Sequence, residues 1–205
     1  LAALLTRIWA RATVPSDEPE RAGAEVHEFV IADNMEAITA TGAEPGNYHL
    51  VYAPDQAPYA VSRALTQRCI TLRRGTALML HAAGLATDDG RTVALVAPSG
   101  TGKTTAARHL GKRLGYVTDE TVVIEDDDTI SPYAKPLSII TESGSPHDKA
   151  ETGPDDLGLG PTPPEPHLAA VVALHRDPDL AQAEVELLPL IDGMLAVIPE
   201  SSALP

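Results

Sequence analysis

A loop of small residues, Ala97-Pro98-Ser99-Gly100-Thr101-Gly102-Lys103-Thr104, lies between an apolar run rich in β-branched residues (91–96) and a helix-compatible segment (105–110). Strand, small-residue loop and helix in that order are what a phosphate cradle requires, and the spacing is that of a Walker A sequence. Gly100 and Gly102 permit positive φ and let the main chain approach an anion, so that successive N–H groups point inward as a nest. The helix opening near Lys103 adds the positive end of its dipole. Pro98, Ser99, Gly100, Thr101, Gly102, Lys103, Thr104 and Thr105 are therefore the candidate nucleotide-binding set. Lys103 is expected to reach the β and γ phosphates of ATP and the Thr104 hydroxyl to ligate Mg²⁺. Ala97 stands where such loops most often have Gly, and a methyl is tolerable there.

What precedes this loop restricts the sheet that carries it. Residues 77–86 are apolar except for His81 and Gly84, and Thr87-Asp88-Asp89-Gly90 leads directly into the strand at 91–96. Asp-Gly between two apolar runs is a hairpin signal. So short a connection joins only antiparallel neighbours, whereas an all-parallel arrangement would need a crossover helix at this point. The expected fold is α/β with a mixed sheet, an antiparallel hairpin leading into the Walker A strand. His81 is expected in the first strand of that hairpin. It is either a core histidine satisfied by one hydrogen bond or a group that contacts a phosphoryl oxygen or titrates beside it.

The helix after the loop is expected to continue to Leu114, basic on its outer side, with Gly115 closing it. Then comes Tyr116-Val117-Thr118-Asp119-Glu120-Thr121-Val122-Val123-Ile124, in which two acids separate two short strands. They lie where a Mg²⁺-coordinating or proton-accepting carboxylate belongs, and Asp119 is the better candidate. Glu125-Asp126-Asp127-Asp128 reads as a solvated turn to which no chemistry is assigned.

Elsewhere the pattern is ordinary. Apolar residues at 1, 4, 5, 8 and 9 mark a first helix, and strands are expected at 26–32 and 48–53. His27 and His49 in those strands read as structural. A helix is expected over 58–72, with Val61, Leu65, Cys69 and Leu72 on its apolar face, its arginines solvated and Gly75 ending it. A proline-broken edge strand is expected at 132–140, and a long Gly- and Pro-rich loop at 141–167. A buried strand at 168–174, another strand at 184–190 and a helix at 191–198 complete the chain. The division expected is a small N-terminal α+β region, 1–75, packed on a nucleotide-binding domain, 76–205, with a mobile loop at 141–167.

A net charge of −14 argues against nucleic acid, which demands clustered cations, and against an anionic membrane surface. A nucleotide is not excluded, because its site depends on local donors. Cys69 is the single cysteine, expected as a small buried hydrophobe; it precludes an internal disulfide framework and fits a reducing compartment. No window approaches the length needed to span a bilayer. A cytoplasmic location is expected.

Taken together and in order, Leu80-His81-Ala82-Ala83-Gly84, the hairpin, residues 97–105, Thr118-Asp119-Glu120, residues 132–137 and the strand at 168–174 resemble the C-terminal catalytic domain of HPr kinase/phosphorylase and its relatives. That family shares its nucleotide-binding architecture with phosphoenolpyruvate carboxykinase. The likeness covers roughly residues 76–176. It implies His81, Lys103 and Asp119 as active-site residues, with Asp119 accepting the proton of a serine on a protein or peptide, ATP as phosphoryl donor, and Mg²⁺ at Thr104 and Asp119. A second metal carboxylate in the family lies in a Glu-Ile-Arg-Gly-Leu-Gly segment. Pro154-Asp155-Asp156-Leu157-Gly158-Leu159-Gly160 is similar to it, with Asp155 for the Glu and Leu157 for the Arg. Glu120 stands where a second Asp is usual. Loss of the arginine weighs against phosphorylase activity and recognition of HPr itself, leaving a serine kinase as the first expectation. A catalytically reduced nucleotide-binding scaffold or regulator, or a small-molecule kinase, is the alternative. Family members often assemble as hexamers, so the resemblance also implies a homo-oligomer.

Overall fold

The structure, a computed structural model, describes residues 1–13, 30–45, 47–51, 54–141 and 149–202. It is mixed α/β. The helices and strands run α1 (Ala2–Ile8), β1 (Val30–Ala32), α2 (Met35–Thr41), β2 (Tyr48–Leu50), α3 (Ala57–Arg73), β3 (Leu78–Leu80), β4 (Ala82–Ala86), β5 (Arg91–Val96), α4 (Lys103–Leu110), β6 (Gly115–Thr118), β7 (Val122–Ile124), β8 (Ile130–Ser131), β9 (Leu137–Ile140), β10 (Lys149–Thr152), β11 (His167–Ala173) and α5 (Leu190–Val197). They belong to two compact units, Leu1–Thr71 with Lys135–Asp156, and Leu72–Ala134 with Leu157–Pro205. Among the described residues no helix is long and apolar enough to cross a membrane.

In the first unit β1 and β2 pair in parallel, joined through α2, a crossover helix that the sequence pattern did not announce. Its ends are nonetheless chemically marked. Asn34 caps the start, its side chain accepting from the Ala37 N–H at 2.8 Å, and Gly42 ends the helix at φ +69°. Of the strand expected at 26–32 only the last three residues, as β1, lie within the described part; His27 falls outside it. Within 141–167, where only loop is expected, β10 pairs antiparallel with β9, and residues 142–148 lie outside the description. The edge strand expected at 132–140 begins only at Leu137. Helix α3 forms as the periodicity predicts, but it buries Ala57, Pro58, Ser62, Ala64 and Thr66. Cys69 and Leu72 are exposed, so the apolar spacing picked the wrong face. Arg73 is not merely solvated: its Nη2 donates to both carboxylate oxygens of Glu125, which also accepts from the Ser131 hydroxyl.

The second unit holds the strands that carry the loop. Its four-stranded sheet has the order β11-β5-β4-β6, with β4 antiparallel to both neighbours and β11 parallel to β5. The mixed sheet and the β4–β5 hairpin agree with the sequence reading. In the turn, the Thr87 N–H donates to Arg91 O at 3.0 Å, and Gly90 has φ +86°. A Cβ on Gly90 would lie 2.4 Å from the Glu165 carbonyl oxygen, so both conformation and close approach require glycine. The apolar run at 77–86 is two strands, since β3 pairs with β7 in a second sheet, β3-β7-β8, and the chain changes sheets at His81. Leu80, Ala82, Ala86, Ala94, Val96, Val117, Val122, Ile124 and Ile130 form the core.

Three expectations are corrected here. Helix α4 stops at Leu110, and Gly115 starts β6, where a Cβ would meet the Pro161 carbonyl oxygen at 2.5 Å. Strand β11 forms but lies at the sheet edge, with Ala169, Ala170, Val171 and Ala173 exposed. Residues 184–190 form no strand before α5 begins.

Candidate functional site

Strand β5 delivers the chain at Val96 into the loop, and α4 takes it up at Lys103. Gly100 and Gly102 have φ +85° and +121°, the conformations their lack of a side chain permits, and a Cβ on either would meet nothing within 4 Å. The Thr101 N–H donates to Pro98 O at 3.3 Å, and at the head of the helix the Ala106 N–H donates to Gly102 O at 2.9 Å. The amides of Gly102, Lys103, Thr104 and Thr105 are thus the orphan donors of a helix start, and α4 has no side-chain cap. Pro98, Ser99, Gly100 and Thr105 are exposed, Thr101, Gly102 and Thr104 half-buried, and Lys103 is buried.

Lys103 folds under the loop, its Nζ donating to Ala97 O and, at 3.4 Å, to Pro98 O. Burial pulls the ammonium below the usual lysine range, a shift opposed by the negative charges of Glu200, Glu120 and Asp119. Nothing in the sequence pattern marks Glu200. It lies beyond α5, where its carbonyl accepts from the His81 N–H at 2.7 Å, while the Ser202 N–H donates to Met79 O at 2.8 Å. His81 itself occupies the bend between β3 and β4, not a strand interior, and is half-buried. Its neighbour Ala82 donates to Glu120 O at 3.2 Å.

Asp119 follows the last residue of β6 and is 4% exposed. Oδ2 accepts from the Thr104 hydroxyl at 3.1 Å and Oδ1 from the Tyr116 hydroxyl at 3.0 Å. The structure therefore joins the helix-start threonine to the carboxylate nominated with it. Tyr116 carried no signal, because a tyrosine in a short strand reads as core.

Asp155 belongs to the other unit and is exposed. Its Oδ1 accepts from Arg11, with Nε at 2.8 Å and Nη2 at 2.6 Å. Next to it Asp156 accepts from Arg7 Nη1 at 2.5 Å.

These features fit a Mg²⁺-bound nucleotide: a loop opened by two side-chain-free positions, orphan amides, a buried cation, and a hydroxyl hydrogen-bonded to a carboxylate. Among the described residues no group of three or more His, Cys, Asp or Glu side chains gathers as a metal site. A hard cation held by one or two protein oxygens and by phosphate needs no such group. No protein-family model matches this chain, and no curated protein matches it.

Proposed function

We propose that the chain is an ATP-binding protein with a P-loop domain of the HPr kinase/phosphoenolpyruvate carboxykinase type, acting as a Mg²⁺-dependent kinase on a serine of a protein or peptide. The observation that carries this reading is the hydrogen bond from Thr104 to Asp119, made at the head of the helix that also begins with Lys103. The loop and helix-start amides bind the phosphates. Lys103 leaves the carbonyls of Ala97 and Pro98 for β and γ oxygens, exchanging neutral acceptors for anionic ones. Thr104 and Asp119 are the protein oxygens that would hold Mg²⁺, which supplies charge neutralisation on the phosphates when bound. Asp119 orients the serine hydroxyl and accepts its proton as the serine oxygen takes the γ-phosphoryl group, with ADP leaving.

A second reading, a nucleotide-binding scaffold that has lost transfer, draws on two features: Asp155 is engaged by Arg11, and Leu157 stands where the segment it resembles has arginine. Two measurements separate the readings. Calorimetry should show nucleotide uptake by the wild type and none by Lys103→Ala. Labelled ATP with cell extract, or with a set of serine peptides, should transfer label if the chain is a kinase; a scaffold labels nothing, and transfer to metabolites alone would make it a small-molecule kinase. Absence of nucleotide uptake with Mg²⁺ present overturns both.

A further inference from the structure

Tyr116 is a fully buried tyrosine, and its hydroxyl lies 3.0 Å from Oδ1 of a nearly buried carboxylate. We infer that Tyr116 is a positioning residue that holds the Asp119 carboxylate in the plane from which its other oxygen meets Thr104. The inference rests on the functional reading above.

Four observations carry it. First, the two oxygens of Asp119 have separate donors, Thr104 on Oδ2 and Tyr116 on Oδ1, so rotation of the carboxylate breaks at least one bond. Second, both donors are hydroxyls, each of which fixes one oxygen's direction through a single O–H. Third, the Tyr116 ring is fully buried and its backbone is held on both sides. The Tyr116 N–H donates to Gly160 O at 3.2 Å, and its carbonyl accepts from the Thr162 hydroxyl at 2.6 Å, so the strand is gripped by one short segment. Fourth, the β4–β6 register shifts between Gly84 and Leu85: Leu85 pairs with Tyr116 and Gly84 with Thr118, which leaves Val117 as an extra residue. A bulge of this kind re-aims the side chains beside it. Here it lies between Tyr116 and Asp119, where the chain bends and the carboxylate returns to the phenol three residues earlier.

A core tyrosine that merely satisfies its hydroxyl would show the same distance, so the test must separate packing from positioning. Binding of a non-hydrolysable ATP analogue is measured by calorimetry with Mg²⁺ and with chelator. The readout is the factor by which Mg²⁺ tightens binding. Tyr116→Phe keeps the ring and should leave metal-free affinity unchanged within about twofold, while cutting the Mg²⁺ factor by about tenfold, the usual scale for a residue that orients a metal-side ligand. Asp119→Asn should remove the Mg²⁺ factor, and adding Tyr116→Phe to it should change nothing further, as expected of two residues acting as one unit. A full Mg²⁺ factor in Tyr116→Phe, or an equal further loss in the Asp119→Asn background, overturns the inference.

Should Tyr116→Phe fail to fold, the double variant decides. If the defect comes from a buried carboxylate left short of a donor, Asp119→Asn restores the fold; if the double variant stays unfolded while Asp119→Asn alone folds, Tyr116 is packing only. A wild type that takes up no nucleotide ends the functional reading, and this inference with it. Normal Mg²⁺-dependent uptake unaffected by Tyr116→Phe ends this inference alone.

Discussion

Asp119 and Asp155 are both candidate metal carboxylates, Asp119 by its place in the chain after the loop and Asp155 only by the family resemblance, and their surroundings differ in kind. Asp119 is buried and receives two neutral hydroxyls. The Asp155 side chain is 62% exposed and receives an arginine. A carboxylate held by hydroxyls can admit a cation or a proton without breaking an ion pair to those donors, and burial strengthens its interactions. One already matched by a guanidinium must break an ion pair before it can ligate anything. Position in a motif therefore identifies a candidate, and the donors already on it say what must give way before it can ligate.

The largest test of that contrast is catalytic. Asp119→Asn should retain nucleotide binding and lower phosphoryl transfer roughly 100- to 10,000-fold, the range for loss of a positioned acid or base. Asp155→Asn in the same assay should change transfer less than about threefold, in keeping with an exposed ion-paired group. Equal turnover by Asp119→Asn rejects the assigned base; an equally severe Asp155→Asn breaks the contrast.

Next is the ion pair itself. Arg11→Ala should lower the unfolding free energy, read from denaturant titration, by less than about 1 kcal/mol, as for surface pairs generally. A larger loss would make Arg11–Asp155 a structural clamp and sharpen the contrast further.

The smallest effect concerns a third carboxylate, Asp127 in the β7–β8 turn. Hydrogen bonds from the Thr129 side chain and backbone hold it below the ordinary Asp value of 3.8. A folded value below the unfolded one gives stability that is complete above pH 3.8 and lost as pH falls through the folded value. The stability difference between wild type and Thr129→Val should accordingly be present near neutral pH and close in acid, as read by denaturation at several pH values. A difference that persists in acid would place the cost in packing.

The legible parts of the molecule are those fixed by neighbours in sequence. The Asp-Gly turn and the Gly100–Gly102 loop follow from backbone angles open chiefly to glycine, and the hairpin then implies an antiparallel partner for β5. Composition could not tell where a strand would sit in its sheet. Residues 168–173 are as apolar as an interior strand, yet β11 is at the edge. Likewise α3 buries small and hydroxyl side chains in place of its larger apolar ones, because packing partners distant in sequence decide which face is covered. At the site, Lys103, Thr104 and Asp119 could be read from spacing. Tyr116 and Glu200 could not: one depends on a bulge, and the other on a segment beyond α5 that returns to the bend at His81.

Gly90 has a role beyond turning the hairpin. Its carbonyl accepts from the His167 N–H at 2.9 Å and from the Thr92 hydroxyl at 3.0 Å. A contact between near neighbours can close within microseconds, while a parallel strand from far down the chain must search for its alignment. In the native sheet the turn thus offers β11 an acceptor at its first residue, His167, and so ties the register in which that strand lies beside β5 to the hairpin.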